Sequence, residues 1–210
     1  MKKEIGEIKF PIWLLGDSNP KNWENILKVP FDSRHPIIHN IWTPIIDIIQ
    51  EQIFIKCKNR INTKSIYIRN AIEDARFKPK SNILNWSREV THKVNTLSES
   101  IIKYNPIFIF SFGSFSFEFA KRALFENSNK RYIYWGAKNL GAEFRRRINN
   151  FDSNTTNLIP LLHRSIAGGK FVQSHEYFCD RSGVNYFEIV GKSIADCIVA
   201  NKNKFNVFID

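Results

Sequence analysis

The stretch PIWLLGDSNP, residues 11–20, joins a short apolar run to a turn built from Gly, Asp, Ser, Asn and Pro. Its first six residues (11–16) lack polar alternation, the pattern of a strand covered on both faces, as in a parallel sheet. Three further stretches repeat the plan: 64–70 (KSIYIRN), 106–112 (PIFIFSF) and 157–163 (NLIPLLH). Between them the apolar period changes. Ile83, Trp86, Val90, Val94, Leu97 and Ile101 follow spacings of 3, 4, 4, 3 and 4, one stripe of an amphipathic helix. Residues 40–58 and 115–125 also read as helices. After a Gly-containing loop over 164–180, a last helix carries Phe187, Val190, Ile194, Cys197 and Ile198. The order β-α-β-α-β-α-β-α predicts an α/β fold, a three-layer α/β/α sandwich with a central four-stranded parallel sheet. No Pro/Gly/Ser-rich linker interrupts it, so residues 1–210 read as a single domain.

The 210 residues include 31 Lys+Arg and 20 Asp+Glu, a formal charge of +11, with 43% hydrophobic and 14% aromatic content. That content can bury a sizeable core and excludes a disordered, collagenous or repeat architecture. The surplus positive charge favours a polyanionic partner, nucleic acid before lipid. Three scattered cysteines, Cys57, Cys179 and Cys197, provide neither a disulfide framework nor a CxxC metal pair, the usage of a reducing compartment. The start, MKKEIGEIKF, places Glu4 and Glu7 where a signal peptide needs an apolar run. The longest uncharged run, 104–117, has 14 residues, short of the ~20 that span a bilayer. A soluble, cytoplasmic protein without membrane contact is the expectation.

In open α/β sheets the ligand binds outside the carboxyl ends of the strands. The first strand here ends in Gly16-Asp17-Ser18-Asn19-Pro20, the second in Asn70-Ala71, the third in Gly113-Ser114, the fourth in His163-Arg164-Ser165. Four separate loops would thus bring an acid, two amides, a histidine and a small-residue turn to one edge of the sheet.

Taken in order, these strand ends resemble the motifs of the uracil-DNA glycosylase superfamily. WLLGDSNP, followed by Phe31 in VPFDS, is similar to the family's first motif, a strand ending in Gly-x-(Asp/Asn/Glu)-Pro and then an aromatic that stacks on the flipped base. It is one residue longer between Gly and Pro. Asn70 in YIRNA resembles the family's base-reading Asn, FGSFSF (Gly113, Ser114) its Gly-Ser phosphate loop, and HRS (His163, Arg164, Ser165) its terminal His-Pro-Ser. The family's water-binding carboxylate precedes the Pro directly; Asn19 occupies that place here and Asp17 lies two positions earlier. Arg164 replaces the motif's proline, and Lys21 stands where some uracil enzymes carry a thymine-excluding Tyr. These departures point away from plain uracil.

The resemblance implies a monofunctional DNA glycosylase that flips out a modified or damaged base and leaves an abasic site, with DNA as partner, no cofactor, no metal, and a monomeric state. Asp17 or Asn19 would orient the attacking water and His163 would donate a hydrogen bond to the departing base. Phe31 would stack on that base and Asn70 read its edge. Gly113, Ser114, Arg164, Ser165 and Lys170 would hold the DNA backbone, near Gly168-Gly169, with Ile166 as the wedge that fills the vacated stack. Some members of the superfamily act in bacterial defence against phage DNA bearing bulky modified cytosines, an option the resemblance leaves open. Repair of uracil or deaminated bases, a catalytically silent DNA-binding module on the same fold, and an N-ribosidase acting on free nucleotides are the alternatives.

The residues also admit plainer roles. Asp17 and Asn70 could only close turns, His163 could be a core histidine, Phe31 a core aromatic, and Gly168-Gly169 a plain loop. Arg145–Arg147 could be a solvated helix face or add phosphate affinity. Glu73 and Asp74 read as carboxylates at a helix N-terminus, with protonation of a poor leaving group as the rival role.

Overall fold

The computed structural model describes residues 4–19, 32–33, 38–126, 130–163, 171–204 and 207–209. The chain is a mixed α/β sandwich around one sheet. Four strands run parallel: β2 (Ile12–Gly16), β3 (Ile66–Asn70), β4 (Phe108–Phe112) and β5 (Asn157–Leu161). A fifth, β1 (Glu4–Ile5), pairs antiparallel with β3 through Glu4↔Arg69 and Ile5↔Ile68, giving the order β1-β3-β2-β4-β5. The sheet therefore has one strand more than the four expected. With two residues β1 carries no readable period, and Gly6 turns the chain at φ +80, where a Cβ would come within 2.3 Å of the Ile66 carbonyl oxygen.

Helices cover both faces, as the uniform burial of β2 and β4 demands. α1 (Thr43–Cys57) follows a π-helical turn at Ile38–Trp42 and packs along α6 (Tyr186–Ala200). Trp42 meets Phe110 and Phe112 of β4 at ring distances of 5.8 and 6.1 Å. α2 (Arg88–Tyr104) packs on α3 (Ser114–Ala123), and α4 (Ala137–Asn149) lies between β5 and α5 (Phe171–Cys179). No helix among the described residues is long and apolar enough to cross a membrane.

Two expectations are corrected. The helix read from Ile83 begins at Arg88, because Ser87 caps it by accepting from the Val90 N–H at 3.4 Å. Trp86 still serves the core, against Phe115 and Phe119, whereas Ile83 is exposed. The loop expected over 164–180 contains α5. Within α4 the Arg145–Arg147 run keeps Arg145 and Arg146 solvated, as a helix face would be, and also makes protein contacts. Arg145 donates to the Phe178 carbonyl at 2.6 Å, and Arg146 and Arg147 pair with Glu143 and Glu126. These pairs hold the Glu143 carboxyl below its ordinary pKa, against the opposing effect of its burial.

Candidate active site at the carboxyl edge of the sheet

β3 and β4 flank β2 on opposite sides, so the chain reverses its direction of travel across the sheet at the β2/β4 boundary. Connections leaving those two strand ends diverge, and the crevice between them is where α/β sheets bind ligands. A cavity of about 260 Å³ lies there. Asp17 reaches it from the end of β2, Gly113 and Ser114 from β4, and Leu162 and His163 from β5. Lys78, Phe115, Tyr132, Trp135 and Ser174 complete much of its wall.

The charged pair is Asp17 and Lys78, with Lys78 Nζ donating to Asp17 Oδ2 at 2.5 Å. The other oxygen, Oδ1, accepts from the Ser18 hydroxyl at 3.0 Å. Lys78 also lies 5.1 Å from the centre of the Phe115 ring and 5.7 Å from that of Tyr132, so aromatic faces shelter its ammonium. The two rings meet edge to face at 5.3 Å. Tyr132 is fixed by donation to the Pro79 carbonyl at 2.8 Å, and burial beside the Asp17 carboxylate pushes its phenol pKa up to about 12. It stays a neutral donor.

His163 sits against Gly113. Gly113 has φ +87, and a Cβ there would fall 2.6 Å from His163 Cβ. The Gly113 N–H donates to the Leu161 carbonyl at 2.8 Å, closing the β4–β5 ladder at this point. From the far side, the Leu162 N–H donates to the Tyr186 hydroxyl of α6 at 3.0 Å. The strand end that carries His163 is thus anchored on two sides. Burial depresses the His163 pKa; the Asp17 carboxylate acts to raise it and the Lys78 ammonium to lower it. At neutral pH the imidazole is uncharged, with one N–H to donate.

Asn19 and Asn70 meet each other. Asn70 Nδ2 donates to Asn19 Oδ1 at 2.9 Å, beneath a parallel bridge between Asn19 and Asp74. Both stand at the same sheet edge, but neither is among the residues lining the cavity. The Ser114 hydroxyl donates to the Trp135 carbonyl at 2.5 Å and has no second proton to offer a phosphate. Asp74 has the local role of a cap, accepting from the Arg76 N–H at 2.8 Å at the start of a short turn of helix, Ala75–Phe77. Phe31, Arg164, Ser165, Ile166 and Lys170, like Pro20, Lys21 and Gly168-Gly169, lie outside the described residues.

Sequence reasoning missed Lys78 and Tyr132, which come from the connections after β3 and α3 and belong to no strand-end motif. Phe115 was closer to view, one residue beyond Gly113-Ser114. All three cysteines are free thiols. Among the described residues no three His, Cys, Asp or Glu side chains are grouped as a metal centre requires. Compared with known proteins, the chain matches no family model and no curated protein.

Proposed function

We propose that this protein is a monofunctional DNA glycosylase that hydrolyses the bond between a modified or damaged base and its deoxyribose. The observation that supports it most is the convergence of Asp17 and His163, from strands at opposite ends of the chain, on one cavity floored by Gly113 and walled by Phe115 and Tyr132.

Cleavage of an N-glycosidic bond places positive charge on the sugar and negative charge on the departing base. A fixed carboxylate and a fixed donor, set in advance, stabilise that separation without reorganising at the moment of reaction. Asp17 supplies the carboxylate and orients water through an oxygen not given wholly to Lys78. Asn19, held by Asn70, keeps the turn in place rather than contacting the reacting atoms. His163, uncharged, donates its N–H to the base oxygen, and the Lys78 ammonium adds a favourable field for the same developing anion. Phe115 and Tyr132 provide the aromatic surface for stacking. A volume of about 260 Å³ suits a single ring system and falls below the ~300 Å³ at which drug-sized pockets begin. A sugar substituent on the base would have to extend outside it.

The first turn of α3 contains no acidic residue, and the N–H groups of its first turn lack intrahelical acceptors. In this reading they face the phosphate beside the flipped nucleotide. The test is incubation with oligonucleotides carrying uracil, hypoxanthine, hydroxymethylcytosine or glucosylated hydroxymethylcytosine, followed by alkali. Strand scission at one of them, lost in Asp17→Ala and His163→Ala while DNA binding persists, is the expected result. Scission at none sinks the proposal.

A further inference from the structure

Two segments beside the cavity, residues 75–84 (ARFKPKSNIL) and 130–136 (KRYIYWG), carry five cations, of which Arg76 pairs with Asp74 and Lys78 with Asp17, leaving Lys80, Lys130 and Arg131 for an external anion. They are joined side by side. The Ile133 N–H donates to the Ser81 carbonyl at 3.1 Å, and the Tyr132 hydroxyl to that of Pro79 at 2.8 Å. Arg122 of α3 ties both from beneath, donating to the Leu84 and Lys130 carbonyls at 3.0 and 3.5 Å. Its guanidinium lies 3.8 Å from the Trp86 ring centre and pairs with Glu118, which is fully buried.

On this base five large apolar side chains face solvent: Phe77 at 45% exposure, Ile83 at 41%, Leu84 at 37%, Ile133 at 61% and Tyr134 at 44%. The same segments send Lys78, Tyr132 and Trp135 into the cavity, so the exposed ridge borders its mouth. Rings and cations are neighbours along the chain, alternating in Arg76-Phe77-Lys78 and adjoining in Lys130-Arg131-Tyr132-Ile133-Tyr134. Lys130 is placed 4.9 Å from the Tyr134 ring centre. A protein partner would favour a patch poor in lysine, the residue that interface cores exclude. A strand with exposed bases offers the matching pattern, since every base has a face to stack and every nucleotide a phosphate.

We propose that this ridge is a binding surface for single-stranded DNA, with bases stacked on Phe77 and Tyr134, Ile133 inserted between neighbouring bases, and phosphates held by Lys80, Lys130 and Arg131. The proposal rests on the glycosylase reading only for the choice of DNA as polymer, because stacking on the ridge requires no chemistry in the cavity.

The experiment is fluorescence anisotropy with a labelled oligo(dT) and the matching duplex, across a salt series, on the full chain. Phe77→Ala and Tyr134→Ala should each weaken oligo(dT) binding about tenfold. Lys80→Gln and Lys130→Gln should each flatten the dependence of log affinity on log salt by about 0.7. Phe77→Leu, which keeps an apolar side chain without a ring, should lose most of what Phe77→Ala loses. Thermal melting identifies variants that remain folded. Folded ring and lysine variants that bind oligo(dT) like wild type overturn the proposal. So does wild-type protein with no affinity for oligo(dT) at low salt, which would turn attention to a protein partner. Loss of binding in ridge variants with no base release from any substrate sustains the ridge and defeats the glycosylase reading. Base release with unchanged binding in those variants does the reverse.

Discussion

Gly113 and His163 occupy a space that two side chains could not share, since a Cβ on residue 113 would stand 2.6 Å from His163 Cβ. The backbone at Gly113 adds a second demand through its φ of +87. Gly113→Ala should therefore lower stability by about 1–3 kcal/mol. It should also displace the imidazole and, under the glycosylase reading, reduce base release far more than the stability loss explains. Urea unfolding and single-turnover kinetics measure the two effects separately; an alanine variant with wild-type rate would refute the assigned role of this contact.

The charges around His163 make opposing predictions for its titration. Lys78 disfavours the imidazolium and Asp17 favours it. Lys78→Met should move the His163 pKa up toward the ordinary 6.5, and Asp17→Asn should move it further down. Imidazole proton shifts followed by NMR across pH read both directly. Two shifts of the same sign would show that the pair does not act on His163 as the geometry requires.

Stability should depend on pH with a sign set by the same burial. The folded-state pKa values of His163 and His175 are both depressed from 6.5, chiefly by desolvation. The unfolded chain therefore binds protons more readily than the folded one just below that value. The contribution of each histidine to stability is complete above about pH 6.5 and is lost as pH falls through its folded pKa. Melting temperature should be level from pH 8 to about 7 and fall below about 6.5, and His175→Phe should reduce the fall. If the glycosylase reading holds, base release needs the uncharged imidazole and should decline over that acidic limb.

Glu118 is fully buried, accepting from Trp135 Nε1 at 2.7 Å and from Arg122 Nε at 2.9 Å. Truncation to Ala leaves the Arg122 guanidinium and the indole N–H without this acceptor and should cost about 3–5 kcal/mol. Glu118→Gln keeps one oxygen and should cost less. Because Trp135 offers its carbonyl to Ser114, base release under the glycosylase reading should fall in both variants in proportion to the disturbance. Chemical denaturation ranks them, and equal stability of wild type and Glu118→Ala would contradict the network.

What the sequence made legible follows from physics local to each strand. The apolar runs announced the four parallel strands, and the polar residues just beyond them announced which edge holds the cavity. Asp17, Gly113, Ser114 and His163 reach the cavity as that logic requires. Lys78 was invisible because its importance arises from a turn capped by Asp74, after which Lys78 meets Asp17 just beyond the end of β2, a relation no period encodes. Asn19 and Asn70 read as separate water and base contacts; their mutual hydrogen bond joins adjacent strand ends and is not visible in either motif alone. In Arg145–Arg147 a run of like charge concealed its partners, because Glu126 comes from another element and Glu143 from an earlier turn of the same helix.

The two borders of the sheet share a property with a bearing on solubility. On one side β1 offers two residues before Gly6 turns the chain away; on the other, β5 carries Pro160, which has no N–H. Among the described residues, neither border presents a long row of backbone donors and acceptors to a neighbouring molecule. For a chain with 18 phenylalanines, several of them in the inner strand β4 and the helix that follows it, this is protection against edge-to-edge aggregation, built from a turn at Gly6 on one border and a missing donor at Pro160 on the other.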